Sequence, residues 1–393
     1  MVVIVVVVVA ALVLTTRPAS TLPLKDASPS SAPPTLHAAG RSSAFATLLA
    51  RERAWIKRRF ANGSQVSQTE ARRNVEWCTN TCLSFSVRQG RVYMAKVLPR
   101  FARFAFRAVN SMLLVQRAAT RFALPDVDFS LMLTDGEDDF ANLPIWTYCR
   151  SVSTHQGVPV PDFTFVSFHR IDKGGVNSSF EFLLDQFSRM TTNASRAFAT
   201  RKDVLFWRGS WAQTREIWMS ERAHEGPGPP IDVKYIDVKT AKSESRRAKP
   251  RAPPVGLFDF CDYKYLLHMQ GVYWRYSSRL KYLLLCGSTV FLGPQKFEEF
   301  YYSTLHGAVV HVQPNDLRAV LNRTHENQAY AENVARTGQQ LALDLFQPQR
   351  IDEYLLMVAQ AMADAGFVWR DAPLGVPLEE AIANITIAKW NGW

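Results

Sequence analysis

The second half of the chain alternates between two kinds of segment, and few folds can accommodate that. "YKYLLHM" reads as a strand, Gly271 breaks it, "SSRLKYLLLCG" has helical spacing and closes at Gly287, and "STVFLG" reads as the next strand. "AVVHV" and a helix beginning near Asn315 repeat the pattern. Strands that alternate with helices form a parallel sheet, since parallel neighbours need a crossover to connect them. This half is expected to be Rossmann-like.

The same reading extends to "VLFWRGSWAQTREIWM", residues 204–219. An apolar strand pattern climbs to an exposed-looking Trp207, breaks at Arg208-Gly209-Ser210, and resumes with helical spacing. A strand, a glycine-containing loop and a helix together present backbone N–H groups and a positive dipole end, which suits an anion. Arg215 falls in the first turns of that helix, where a cation is unfavourable unless something negative binds beside it. Ser210 with Gln213 also fits a capping box, a purely structural role for the serine. A second unit repeats the arrangement, with Gly271 followed by Ser277 and Arg279 at the start of the next helix. Two arginines could clamp one diphosphate from two sides, because a guanidinium meets phosphate oxygens bidentately and stays charged.

Upstream, "VYMAKVLPRFARFAFRAVNSMLLVQRAATRF" mixes helical periodicity with arginines that read as a solvated face. "VDFSLMLTD" reads as a strand ending at the acidic group Asp135, Glu137, Asp138 and Asp139. Acids at the carboxyl end of a strand sit where open α/β sheets place their chemistry. The Pro-rich, charged segment 224–256 reads as a long excursion between packed elements.

With 393 residues, 47% of them apolar, the chain can bury two sizeable cores. Its net charge of +11 suits nucleic acid, an anionic surface or a phosphorylated small molecule, or simply a basic surface. Residues 1–15 contain "VVIVVVVVAALVL", short for a bilayer span and suited to a signal peptide or signal anchor. Residues 16–43 have the Pro/Ser-rich composition of a stem or linker. Acceptor patterns for N-glycosylation begin at Asn62, Asn177, Asn193, Asn322 and Asn384. Together these point to the secretory pathway. Five cysteines, Cys78, Cys82, Cys149, Cys261 and Cys286, are compatible with two disulfides and one thiol. No Gly-x-Gly-x-x-Gly, Walker, His-Glu-x-x-His or nucleophile-elbow pattern occurs.

"FWRGSWAQTRE" and the long stretch from "DFCDYKYLLHMQG" to "LHGAVVHVQP" resemble glycosyltransferase family 90. This is the group of Rumi-like protein O-glucosyltransferases and capsule-associated xylosyltransferases. "ALPDVDFSLMLTD", "LPIWTYCRSVSTHQGVPVPDFTFVSF" and "AYAENVARTGQQLALDLF" resemble it too, so the likeness covers about residues 75–360. It implies an α/β fold of GT-B type, two Rossmann-like domains with the active site in the cleft between them. The domains would be 44–195, on the acceptor side, and 196–345, binding the UDP-sugar, with a helical tail over 346–393.

The implied reaction is inverting transfer of glucose or xylose from UDP-glucose or UDP-xylose to a hydroxyl of a protein serine or glycan, with no cofactor or metal required. Asp135 matches the family's catalytic base. The nucleotide would lie against Trp207, Gly209, Ser210, Arg215, Ser277 and Arg279. The family's base is usually followed by other residues than Gly136-Glu137-Asp138, which makes Asp138 a rival. The resemblance also implies that Cys261 can pair with Cys286 and Cys78 with Cys82, leaving Cys149 over. The expected location is the Golgi or endoplasmic reticulum lumen, and the ending "KWNGW", without a Lys-Asp-Glu-Leu-like signal, turns the expectation toward Golgi residence with the N-terminal segment as membrane anchor.

Two other readings compete. Asp126-Val127-Asp128 could be the metal motif of a GT-A glycosyltransferase, although it precedes its strand. A noncatalytic lectin or scaffold could keep the fold without the reaction. Nucleic acid fits poorly, because the basic residues are dispersed.

Overall fold

The computed structural model describes residues 43–61, 81–94, 105–135, 145–154, 157–169, 177–192, 197–219, 225–236, 251–271, 275–368 and 375–384. The expected signal segment and almost all of the stem, together with Cys78 and Asp138, lie outside these residues. Among the described residues no helix is long and apolar enough to cross a membrane.

The first sheet is built from β1 (Cys82–Arg88), β2 (Arg91–Met94), β3 (Val127–Met132), β4 (Ile145–Thr147), β6 (Val158–Pro159) and the C-terminal β16 (Val376–Pro377). Its order is β16-β2-β1-β3-β4-β6. The strands from β16 to β3 pair antiparallel, and only β3, β4 and β6 run parallel. This half is therefore less purely Rossmann-like than expected. The reason is local: β1 and β2 are joined by the two-residue turn Gln89-Gly90, with φ of 52° and 75°, a connection that can only make a hairpin. Two short strands, β7 (Ser167–His169) and β8 (Asn177–Ser179), form a separate antiparallel pair.

The second sheet is wholly parallel. It comprises β9 (Lys202–Gly209), β10 (Ile231–Ile236), β11 (Arg251–Ala252), β12 (Tyr263–His268), β13 (Thr289–Leu292) and β15 (Val310–His311), in the order β11-β10-β9-β12-β13-β15. The chain moves outward from β9 to β11, then crosses back to lay β12 on the other side of β9. That reversal makes β9/β12 the switch point, and ligands of open parallel sheets bind beyond the carboxyl ends of such strands. The strand β10 corrects the reading of 224–256 as an excursion. Val233 and Tyr235 alternate inward there, but the flanking prolines and charges conceal so short a signal.

Helices α1 (Ser43–Arg59), α2 (Ala105–Arg121), α3 (Phe180–Thr192), α4 (Leu280–Leu285), α5 (Leu317–Glu326), α6 (Gln328–Leu345) and α7 (Pro348–Asp364) frame the sheets. The expected strand–helix–strand unit is present as β12, α4 and β13, and α4 closes at Gly287 with φ of 62°. The helix α7 leaves the second half and returns to the first. Its Asp352, fully buried, pairs with Arg117 and Arg121 of α2, and its Tyr354 hydroxyl donates to the Pro159 carbonyl. One hydrophobic core is shared by both halves, joining Leu83, Phe129 and Trp146 to Leu280, Tyr282 and Val290. A second, containing Trp207, Tyr265 and Phe291, belongs to the second sheet. A two-stranded ribbon of β5 (Arg150–Ser151) and β14 (Phe297–Glu298) also ties the halves together.

Cys261 and Cys286 are disulfide-bonded, which fastens the turn before β12 to the end of α4. Cys82 is disulfide-bonded as well, and Cys149 is a buried thiol whose Sγ lies 3.7 Å from the Asp135 carbonyl oxygen.

Candidate active site

A cleft of about 230 Å3 opens at the switch point. It gathers six of the seven residues singled out in the sequence: Asp135, Trp207, Ser210, Arg215, Ser277 and Arg279. The seventh, Gly209, lies behind them. A Cβ at Gly209 would come within 2.4 Å of the Trp207 ring, so the glycine gives the indole room to fold back over the strand. Trp207 is consequently buried, edge-on to Tyr235, and not exposed as its position in the sequence suggests.

The segment after β9 is a 3-10 helix, Gln213–Met219, in place of the expected α-helix. With seven residues there and six in α4, neither helix supplies much of a dipole, so the case for an anion rests on the arginines. Arg215 is oriented by three carbonyl contacts: Nε and Nη2 donate to Gln270 O at 2.8 and 2.6 Å, and Nη1 donates to Ser210 O at 2.8 Å. Its guanidinium carbon lies 5.3 Å from the Trp207 ring centre. Arg279 caps α4, donates to the Arg208 carbonyl, and lies over the Phe260 ring. A Cβ at Gly271 would strike the Tyr276 carbonyl, so the loop that delivers Ser277 and Arg279 can close only on glycine.

Among the described residues neither Arg215 nor Arg279 has a carboxylate within ion-pair distance, whereas the neighbouring Arg208 is paired with Asp232 at 2.5 Å. Burial, reinforced by repulsion from Arg279, lowers the Arg215 pKa to about 10, and burial alone brings Arg279 to about 10. Both remain cationic at neutral pH. The same positive field adds to burial at His268, which lines the cleft and is pushed down to about 3, so its imidazole is neutral. A wall holding two cations and no compensating acid is built for an anionic ligand.

The opposite wall is already paired. Asp135 lies three residues beyond β3, and Arg107 in the first turn of α2 grips it with both arms, at 2.5 and 3.1 Å. Arg107 also donates to Leu133 O at 2.9 Å and lies over the Phe163 ring, itself part of the cleft. Against the burial that would lower it, the Asp135 carboxylate raises the Arg107 pKa. Each carboxylate oxygen has two lone pairs, so Asp135 can accept a further hydrogen bond while held by Arg107.

Sequence reasoning missed Arg107, Phe163, His268, Met269, Tyr276 and Ser278. The arginines of α2 are not the solvated face their periodicity suggests, since Arg107 serves the cleft and Arg117 and Arg121 anchor α7. The signal available was their number on one helix without matching acids nearby. The rival metal motif is occupied otherwise: Asp126 accepts from Gln89 N, and the buried Asp128 accepts from Ser86 and Arg88.

The family model described as "Glycosyl transferase family 90" matches residues 55–365. The chain belongs to this family. It is similar to protein O-glucosyltransferase 1 of Rattus norvegicus, with 33% identity over 32% of this chain and 32% of that one. It is also similar to protein O-glucosyltransferase 3 of Homo sapiens, with 25% identity over 61% of this chain and 47% of that one. The matched stretches thus span from about a third to about a half of these relatives. Among solved structures, Anabaena HepE in complex with UDP-glucose matches with a TM-score of 0.31 and 11% identity, covering 46% of this chain and 53% of that one. So slight a likeness has no bearing on the fold.

Proposed function

We propose that the chain is an inverting, UDP-sugar-dependent glycosyltransferase of GT-B type that transfers glucose or xylose to a protein serine hydroxyl in the secretory pathway. The observation that carries this reading is the asymmetry of the cleft, one carboxylate facing two uncompensated arginines. The diphosphate of the donor lies against Arg215 and Arg279, with Ser210 and Ser277 as hydroxyl donors beside them. The acceptor oxygen attacks the anomeric carbon from the face opposite UDP and a new C–O bond forms. The bond to the β-phosphate oxygen breaks with its electron pair, and the acceptor proton passes to Asp135. Charge developing on the departing UDP is stabilised by guanidinium groups that are already oriented. His268, neutral, adds no charge to this wall.

Family membership and the protein O-glucosyltransferase relatives support a protein acceptor. A metal is not required on this reading, since the arginines supply the charge. Residues 1–15 direct the chain into the secretory route and hold it there if uncleaved.

The test is transfer from UDP-glucose and UDP-xylose to a disulfide-rich serine-containing protein module, with and without EDTA, alongside calorimetric binding of UDP and GDP. Uridine-selective binding and EDTA-resistant transfer with inverted anomeric configuration are expected. Binding without transfer to any acceptor would support a lectin-like role, and absence of uridine binding would overturn the reading.

A further inference from the structure

Behind the cleft, a buried polar cluster joins its two walls. Lys281 projects from α4 two residues beyond Arg279, and its side chain is completely buried. Its Nζ donates to Asp162 Oδ1 at 3.1 Å and lies 3.6 Å from Glu299 Oε2. Asp162 belongs to the first half of the chain. Its Oδ1 also accepts from the backbone N–H and the hydroxyl of Thr164, at 3.1 and 2.7 Å, capping the turn Phe163–Phe165. Its Oδ2 accepts from the Tyr276 hydroxyl at 3.1 Å. Every lone-pair direction of this carboxylate that the fold uses thus leads to a residue of the cleft or to its immediate support.

The connections run from one side of the reaction to the other. Arg279 and Lys281 share one turn of helix, and Lys281 holds Asp162. Asp162 sets the turn that presents Phe163, Phe163 lies under Arg107, and Arg107 clasps Asp135. Burying a lysine and an aspartate is costly unless each is fully partnered, and a pair of apolar residues would fill the space at least as stably. Such a pair could not fix a hydrogen-bonded register. From Asp162 onward the geometry points to a positional role.

We propose that Asp162 and Lys281 are positioning residues for the transfer reaction, setting the base-bearing wall at a fixed register against the arginine-bearing wall. This rests on the glycosyltransferase reading above. A second ion cluster provides an internal contrast. Arg150 bridges Glu52 of α1 at 2.9 Å and Glu298 of β14 at 2.7 Å, so it also joins the two halves, yet none of the three lines the cleft.

The experiment compares the full chain with Asp162→Asn, Lys281→Met, the double variant Asp162→Asn/Lys281→Met, and Glu298→Gln. The double variant removes the buried anion and cation of the pair together, so it stays informative where a single variant strands its partner and fails to fold. For each folded protein, UDP dissociation constant, kcat for transfer and melting temperature are measured. The expected result is a kcat at least tenfold lower for the Asp162 and Lys281 variants, with UDP affinity within twofold of wild type. Glu298→Gln is expected to lower the melting temperature while kcat stays within twofold.

A double variant that keeps wild-type kcat, or that loses kcat and UDP affinity in parallel, overturns the positioning role while leaving the glycosyltransferase reading intact. A Glu298→Gln enzyme that loses kcat to the same extent also overturns it, because any cross-half bridge would then suffice. A wild-type chain that binds no uridine nucleotide fails at the earlier step and overturns both.

Discussion

The two walls of the cleft are built on opposite principles. On the first-half wall the charges are satisfied internally: Asp135 and Arg107 hold each other before any ligand arrives. On the second-half wall Arg215 and Arg279 have carbonyl contacts but no acid among the described residues, and burial makes their charge costly. On the proposed glycosyltransferase reading, the difference separates a wall that binds from a wall that reacts. A group that must receive a proton has to be poised and oriented in advance, whereas a group that binds an anion gains most when the ligand supplies the missing charge.

The sharpest way to break this contrast is at Asp135. Asp135→Asn keeps the shape but cannot take a proton, so transfer is expected to fall by about 10²- to 10⁴-fold, the usual worth of a general base. UDP affinity should stay within twofold in calorimetry, and a parallel loss of binding would mean that the walls are not functionally distinct. Arg279→Ala is the complementary change. Losing one charge-assisted contact should weaken UDP binding by about 1.5–3 kcal/mol, or roughly tenfold to a hundredfold. Arg279→Lys should lie between the two, because an ammonium keeps the charge but not the planar fork.

Arg107→Gln tests whether the first wall needs its clasp. With the carboxylate still present but free to rotate, kcat is expected to drop about tenfold with UDP affinity unchanged, as befits loss of orientation alone. The pH dependence is read in stability and leaves UDP binding almost untouched. The folded His268 pKa, about 3, lies below the ordinary value of 6.5, so between these values the unfolded chain holds a proton that the native protein does not. Its contribution to stability is therefore complete above pH 6.5 and lost as pH falls toward 3. Urea midpoints measured from pH 4 to 7 should rise more steeply for wild type than for His268→Asn. UDP affinity should stay level from pH 7 to 9, since both arginines remain charged there.

Much of the second half was legible in the sequence. The strands β9, β12, β13 and β15 and the helix α4 appear where apolar runs and their breaks put them. Gly209 ends β9, and Ser210, Arg215, Ser277 and Arg279 follow strand ends, and they were conspicuous for that reason. Asp135 was legible on the same ground. The antiparallel portion of the first sheet was less so, because a strand's burial pattern is indifferent to the direction of its neighbour. β10 was obscured by its polar surroundings, and the seven-residue turn after β9 has helical spacing too short to distinguish 3-10 from α.

What the sequence determined by itself is the repeated strand–loop–helix pattern, since side-chain periodicity is a local property that the backbone must satisfy wherever it is placed. It also determined that arginines stand at the two loops and an aspartate at a strand end. Only the tertiary structure decided that these face one another across a single cleft. Arg107 reaches Asp135 over 28 positions, and Lys281 reaches Asp162 over 119, with no local trace of either pairing. Charge pairing in a buried site depends on which surfaces the topology brings within a few ångströms, and that is settled by the packing of the whole chain.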